Sequence, residues 1–247
     1  MLYALDLSGA LDTEALREDL PAEELSVISC RDIEGTTCYC DDEAACAIRT
    51  RIAPLPWRAL HWIDSGDYHY LTALWCEKAD TPFDLLLFDH HTDMQQPRYG
   101  EILSCGSWLL EMLRHNAMLR RAVIVGAAEN LRCETLPLSG RVTMISEEEC
   151  RGASADNLAA RILSAFGDTG ESLPLYISID KDLLSPEWAE TNWDQGTMPL
   201  PLLTGTLGLL AKNRLIIGTD ICGCLHKPSS RTLRADIAII GTMLANG

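Results

Sequence analysis

Leu85-Leu86-Leu87-Phe88-Asp89-His90-His91-Thr92-Asp93 is the stretch from which the fold is read. Four apolar residues in a row, without alternation, predict a strand buried on both faces, the kind built into parallel sheets. At its end the chain turns polar and presents Asp89, His91 and Asp93 at i, i+2 and i+4. In extended chain these share one side. Two carboxylates and an imidazole converging at a strand's carboxyl end make half of a divalent-metal site.

Outward from this strand the pattern repeats. Ala59–Ile63, Ala122–Gly126, Val142–Ser146, Leu175–Ile179 and Leu215–Ile221 are further short apolar runs with strand character. Between them lie stretches with helical spacing: Tyr70–Lys78, Trp108–Leu119, Leu158–Phe166 and about Thr232–Leu244. Strands alternating with helices imply βαβ units and a mostly parallel sheet covered on both faces. The first fifty residues say less: Leu11–Leu20 reads as a short acidic helix and Leu25–Ser29 as a strand. Ile48–Pro56, with two prolines, reads as a loop. A long polar loop is expected over Ser185–Pro201. No linker or repeat interrupts the 247 residues, so one domain over 1–247 is expected.

Composition narrows the function classes. A net charge of -16 argues against a nucleic-acid surface, which needs a basic footprint. The N-terminus lacks the basic segment of a signal peptide, and no apolar run approaches bilayer length. The ten cysteines are therefore expected as thiols in a reducing cytoplasm. Cys38-Tyr39-Cys40 with Cys46, and Cys222-Gly223-Cys224, lack the spacing of a structural zinc site and read as buried or incidental thiols. The expected partner is a small molecule, with no nucleic acid and no membrane; a homo-oligomer is compatible with this reading.

A second strand end carries Asp180 and Asp182, again at alternating positions. In a parallel sheet both ends lie on the same rim, where ligands bind. His69 follows the Ala59–Ile63 strand by a short turn and reaches that rim; His61, mid-strand among apolar neighbours, is the fallback. Four carboxylates and two imidazoles carry too much negative charge to cluster without cations. Two divalent ions would neutralise it, and oxygen with imidazole ligands suit Mn²⁺, with Fe, Co, Ni or Zn as alternatives.

These residues resemble a known family. Asp89-His90-His91-Thr92-Asp93 resembles the D-A-H-x-D motif of the arginase, agmatinase and formiminoglutamase ureohydrolases, with His90 in place of alanine. Ser178-Ile179-Asp180-Lys181-Asp182-Leu183-Leu184-Ser185-Pro186 is similar to their S-x-D-x-D-x-x-D-P, with Ser185 for the last aspartate. Ser65-Gly66-Asp67-Tyr68-His69 resembles G-G-D-H with a tyrosine inserted. The resemblance covers roughly residues 58 to 223. It implies an α/β fold, a three-layer α/β/α sandwich of the arginase/deacetylase type. It also implies that His69, Asp89, Asp93 and Asp180 hold one ion and His91, Asp89, Asp180 and Asp182 the other. A water of lowered pKa would attack a trigonal carbon.

Two departures bear on the substrate. Cys105-Gly106 stands nearest to the family's His-Gly, which makes Cys105, beside Asp93, a candidate catalytic group. The family's guanidinium-binding glutamate falls on Gly223, three residues past Asp220. The expectation is therefore a dinuclear hydrolase of a linear C–N bond, arginase-like but not an arginase. Asn192, Trp193, Asp194 and Gln195, in the loop beyond the second acidic pair, are the candidate substrate contacts. His90, on the opposite side by strand alternation, is expected to pack or hydrogen-bond behind the ligands. Two other readings are a single-zinc deacetylase-like enzyme using Asp89, His91 and Asp180, and an inactive metal-binding regulatory protein.

Overall fold

The computed structural model describes residues 1–19, 25–97, 100, 102–167 and 172–245. The first half of the chain runs β1 (Leu2–Asp6), α1 (Thr13–Asp19), β2 (Leu25–Ser29), β3 (Tyr39–Cys40), α2 (Asp42–Ile52), β4 (Leu60–Ile63), α3 (Leu71–Cys76) and β5 (Phe83–Phe88). Then come β6 (Leu103–Ser104), α4 (Trp108–His115), β7 (Leu119–Val125), α5 (Arg132–Thr135), β8 (Val142–Ile145), α6 (Glu147–Cys150) and α7 (Ala155–Ala165). β9 (Leu175–Asp180), α8 (Leu200–Asn213), β10 (Ile216–Cys222) and α9 (Ser230–Leu244) complete it.

Eight strands form one sheet in the order β2-β1-β4-β10-β9-β5-β7-β8. Every ladder in it is parallel, so all carboxyl ends share one rim. β3 and β6 pair separately and antiparallel. The continuous apolar run of β5 is explained by its two faces. Phe83, Leu85 and Leu87 pack into the core that holds Ile48, Leu74, Trp75, Trp108 and Leu113 of α2, α3 and α4. Leu86 and Phe88 pack into the opposite core, with Leu16, Leu158, Ile162, Leu203, Leu207 and Ile239 of α1, α7, α8 and α9. The molecule is thus the expected three-layer α/β/α sandwich. Leu86 is fully buried, and truncating it to alanine would cost about 2–5 kcal/mol.

Three local expectations are corrected. Ile48–Pro56 is not all loop, because α2 runs to Ile52. Pro54 and Pro56 act only on what immediately precedes them, and the helix stops short of both. Its Asp41 cap accepts from the Ala44 N–H, with acids in its first turn and Arg49 and Arg51 in its last. The Trp108–Leu119 helix stops at His115, because Asn116 is extended and its side chain binds the Cys76 carbonyl and the Met118 N–H. That turn releases β7 three residues before Ala122. β1 went unread in the sequence, although it pairs on both sides, with β2 and β4. The expected helix over Leu11–Leu20 spans Thr13–Asp19; Leu20 lies outside the described residues. Among the described residues no helix is long and apolar enough to cross a membrane.

Candidate metal centre

Register explains how the site assembles. Cys222 pairs with Asp180 across β10 and β9, and Phe88 pairs with Ile179 across β5 and β9. Cys222, Asp180 and Asp89 therefore form one row over three neighbouring strands, on the face toward α3 and α4. Strands lie about 4.8 Å apart in that direction, which is the spacing at which side chains on one row share a ligand. One row deeper, Ser178 pairs with Asp220. Ser178 donates to Asp220 Oδ1 at 2.6 Å, so its oxygen accepts from His69 Nε2–H at 2.8 Å. That network turns His69 Nδ1 toward the carboxylates. His69 itself stands at the end of a 3₁₀ turn, Gly66–Tyr68, which brings it over the rim.

Around His69 Nδ1 lie Asp93 Oδ2 at 3.0 Å, Asp89 Oδ2 at 3.2 Å and Asp180 Oδ2 at 3.7 Å. Around His91 Nδ1 lie Asp182 Oδ2 at 2.8 Å and Asp89 Oδ1 at 3.5 Å. Asp89 thus offers one oxygen to each histidine. The remaining carboxylate oxygens are held from behind. Asp182 Oδ1 accepts from the His90 N–H at 3.0 Å, and Asp180 Oδ1 from the Asp182 N–H at 2.9 Å. Asp93 instead accepts from the Trp108 indole N–H on Oδ2, the same oxygen that faces His69. Its φ of +51° is left-handed, which costs a non-glycine residue about 1–2 kcal/mol. The Leu109 N–H holds it there by donating to the Asp93 carbonyl at 3.1 Å.

The electrostatics match this crowding. Burial, then the charges of Asp182 and Asp89, pushes Asp180 up to about 7. Burial and Asp89 push Asp182 up to about 6. Burial works against the imidazolium of His91, but hydrogen bonds and charge from Asp182 and Asp89 outweigh it and raise His91 to about 12. Burial likewise opposes the imidazolium of His69, yet Cys222, Asp89 and Asp93 raise it well above its ordinary value. The nearby lysine does not relieve the excess: Lys181 is fully buried and pairs with Asp236 at 2.5 Å, next to Cys224. Among the described residues, three donor groups have the size for an ion: His69/Asp89/Asp93, Asp89/His91/Asp182 and His69/Asp180/Cys222. Buried carboxylate oxygens and Nδ1 atoms this close, with no lysine or arginine among the described residues of the cluster, fit divalent cations.

The centre floors a cavity of about 330 Å³ whose walls include Cys38, Gln95, Gln96, Cys105, Ser107 and Trp193. All six expected ligands meet there. Of the four loop candidates, only Trp193 lines the cavity. Its indole N–H and the Asn192 amide both donate to Asp67 Oδ1, at 3.0 and 2.9 Å, which docks the loop on the His69 turn. Gly66 makes room for that docking: a Cβ there would lie 2.8 Å from Trp193 Cδ1 and 2.9 Å from Asp180 Oδ2. The Gln195 amide donates to the Leu184 and Ala189 carbonyls and stitches the loop to itself; Asp194 is exposed. Cys105 lines the cavity, but burial, with the charge of Asp93, raises its thiol far above the ordinary value, unlike an activated nucleophile. His90 Nδ1 sits 3.7 Å from Glu147, outside the cavity. His61 is a core histidine: it stacks on Trp75 at 3.8 Å, contacts Tyr176 Oη at 3.1 Å, and burial lowers it to about 3.

Ser178, Trp108, Asp220 and Cys222 were not singled out as site residues in the sequence. For Asp220 and Cys222 the signal was present: an i, i+2 pair at a strand's end, as in Asp180 and Asp182. Ser178 is the residue that opens the Ser178–Pro186 motif. Trp108 left no signal.

Comparison with known proteins bears on the fold and the family. A Thermotoga maritima protein described as uncharacterized is 30% identical over 162 residues, 66% of this chain and 56% of that protein. The chain therefore matches little more than half the length of that relative. Among solved structures, formimidoylglutamase from Bacillus subtilis superposes with a TM-score of 0.75 at 16% identity, covering 99% of this chain and 86% of that one. Arginase from Bacillus cereus gives 0.75 at 14%, covering 98% and 96%. A hypothetical agmatinase from Burkholderia thailandensis gives 0.72 at 19%, covering 99% and 84%. These likenesses concern the fold. The Arginase family profile matches residues 7–221, which extends the resemblance far upstream of residue 58 and takes in α1, β2, β3 and α2 but not β1. The chain belongs to the arginase family.

Proposed function

We propose that residues 1–247 form one metallohydrolase domain that cleaves a linear C–N bond, an amidine or amide, in a small molecule. The observation that carries this reading is the shared carboxylate: Asp89 presents Oδ2 to His69 and Oδ1 to His91, as a bridge between two cations requires. His69, Asp89, Asp93 and Asp180 would hold one ion and His91, Asp89, Asp180 and Asp182 the other. Mn²⁺ suits the oxygen-rich set, with Fe, Co, Ni or Zn as alternatives. Such ions supply Lewis-acid polarisation and a water of lowered pKa.

The chain's own residues do the rest. The backbone N–H groups of His90 and Asp182 fix two carboxylates, and Ser178 fixes the His69 ring, so the donor set is oriented in advance. Trp193 walls the cavity and is held by Asp67. Apart from the carboxylates that face His69 and His91, the cavity wall carries, among the described residues, amides, hydroxyls and thiols but no acid. A guanidinium needs a carboxylate to pair with. The wall therefore suits a neutral group better than arginine. Ten free cysteines support a reducing, cytoplasmic setting.

The test is metal analysis of protein purified without chelator and then reconstituted, followed by a screen of amidines, guanidines and acylamines for release of ammonia, urea, formamide or acetate. Two ions per chain with turnover of a non-guanidine substrate is the expected result. One ion per chain, unchanged in Asp93→Ala, would replace it with the single-zinc deacetylase reading. Two ions with no product from any class would leave a metal-binding regulatory protein.

A further inference from the structure

We propose that Cys222 is a ligand of the ion held by His69 and Asp180, and that its sulfur biases this position toward Co²⁺ or Zn²⁺ over Mn²⁺. The inference rests on the metal-centre reading above and adds a donor of a different kind to it.

The placement comes from the sheet itself. Cys222 is the last residue of β10 and the register partner of Asp180, so the two side chains rise side by side from one row on the same face. Cys222 Sγ lies 3.1 Å from Asp180 Oδ2, and that oxygen lies 3.7 Å from His69 Nδ1. All three donor atoms fall within 4.8 Å of one another. Ligands about 2.0–2.3 Å from one ion stand at such separations. All three residues are buried.

The chain beyond Cys222 reinforces the contact. Gly223 adopts a φ of +91°, and a Cβ there would lie 2.6 Å from Asp180 Oδ1 and 3.0 Å from the Lys181 nitrogen. β10 therefore ends hard against Asp180, and its last side chain can point only along that carboxylate's row. Gly223 is also where the sequence reading placed the family's guanidinium glutamate, so the segment that lacks an acid brings a thiol instead. The step is a simple exchange: the S–H bond breaks, the sulfur lone pair goes to the ion, and the proton leaves to solvent. A thiolate among oxygens and one imidazole favours softer ions.

A plain hydrogen bond from Cys222 to Asp180 is the competing account, and Cys222→Ser separates the two because serine keeps that bond and loses the sulfur. The full-length protein is reconstituted with Co²⁺, its cobalt content measured, and its absorption recorded. The expected result is cobalt d–d absorption together with a near-ultraviolet sulfur-to-cobalt charge-transfer band. The band should disappear in Cys222→Ser and persist in Cys105→Ser, the other thiol of the cavity. In competition with Mn²⁺, the preference for Co²⁺ should fall by about tenfold or more in Cys222→Ser. Bound cobalt without the charge-transfer band overturns the proposal and leaves the metal-centre reading standing. No bound cobalt overturns both. If Cys222→Ser does not fold, X-ray absorption of the Zn²⁺-loaded wild type decides: a sulfur shell at about 2.3 Å supports the proposal, and an all N/O shell refutes it.

Discussion

The β5 and β9 ends and the neighbouring β10 end belong to one rim and one face, yet they have been put to different uses. At β9, Asp182 and Asp180 each have one oxygen fixed by a backbone N–H and the other turned to a histidine, and at β5 Asp89 turns one oxygen to each histidine. At β10, Cys222 and Gly223 stand where the resemblance puts no ligand and a glutamate, respectively. The first region keeps the apparatus that would hold cations; the second has lost the acid that would hold a guanidinium. On the proposed function, holding a cation and choosing a substrate would be separable in this fold, because different strands would supply them. A strand end can change its partner chemistry without disturbing the row beside it, provided the backbone path and the face are kept.

The sharpest way to break this comparison is at Asp89. If its two oxygens serve both histidines, Asp89→Ala should abolish stoichiometric binding of either ion, seen as metal content falling from two per chain to none. Retention of one tightly bound ion would show that the two positions are independent.

Gly223→Glu attacks the other side. Restoring the family's glutamate should not create arginine hydrolysis, because the left-handed φ of +91° disfavours any side chain and the added Cβ would collide with Asp180 Oδ1 at 2.6 Å. Because Asp180 would serve both ions, the expected outcome is a metal content well below two per chain, with no urea released. Urea release from arginine would show that the β10 end lacks only an acid, and the separation argued above would fail.

Much of this was readable in the residues, for physical reasons. The β5 run has to be apolar on both faces because helices cover both, and that makes a buried parallel strand visible without any partner. Period-two alternation puts Asp89 and Asp180 on one face at the strand ends, but it does not govern the rest. The chain is no longer extended beyond them, and His91, Asp93 and Asp182 reach the rim from the turns that follow, Asp93 with a left-handed φ and Asp182 in a 3₁₀ turn. What alternation cannot supply is register between strands. The row joining Cys222 to Asp180 depends on β10 lying beside β9, and nothing local to Cys222 reports that. His69 was read at the end of a turn with an extra tyrosine, and the 3₁₀ geometry of Gly66–Tyr68 absorbs that residue. The substrate loop was the least legible part. Gln195 and Asn192 look like ligand-binding polars, but one closes its own loop and the other ties that loop to Asp67. Loop polars satisfy backbone first, and sequence does not show which carbonyls they will meet.

Proton competition offers a graded test of the β5–β9 side. Asp180 is raised to about 7 and Asp182 to about 6, chiefly by burial, then by neighbouring carboxylates. Both folded values lie above the ordinary carboxylate range. Their protonated forms therefore favour the metal-free fold, a contribution complete below about pH 4 and lost as pH rises through 6 to 7. A cation needs the ionised forms, so its binding strengthens over that same interval. Thermal shift by Co²⁺ or Mn²⁺ should be small at pH 5 and large at pH 8. Apparent affinity should fall by at least about tenfold for each pH unit below 7, because His69 and His91 must also give up protons to bind a cation. A shift independent of pH would mean that these carboxylates do not carry the ion.

The smallest effect should come from Ser178, which reaches no cation itself. Its hydroxyl accepts from His69 Nε2–H and donates to Asp220, a carboxyl that burial pushes up to about 6. Ser178→Ala removes the group that fixes the ring's orientation and leaves His69 Nε2–H and Asp220 without that bond. Losing such a partner behind a metal ligand commonly costs about 10–100-fold in affinity. The expectation is a loss in that range for the ion at His69, with the ion at His91 unchanged, read by calorimetric titration as one weakened and one unaltered binding step. Ser178→Thr, which keeps the hydroxyl, should recover part of the loss if the added methyl is accommodated beside Thr72. Equal weakening of both steps would show that Ser178 supports the β9 end as a whole rather than the His69 ring. The division of the rim into separately held positions would then have to be redrawn at β9 itself.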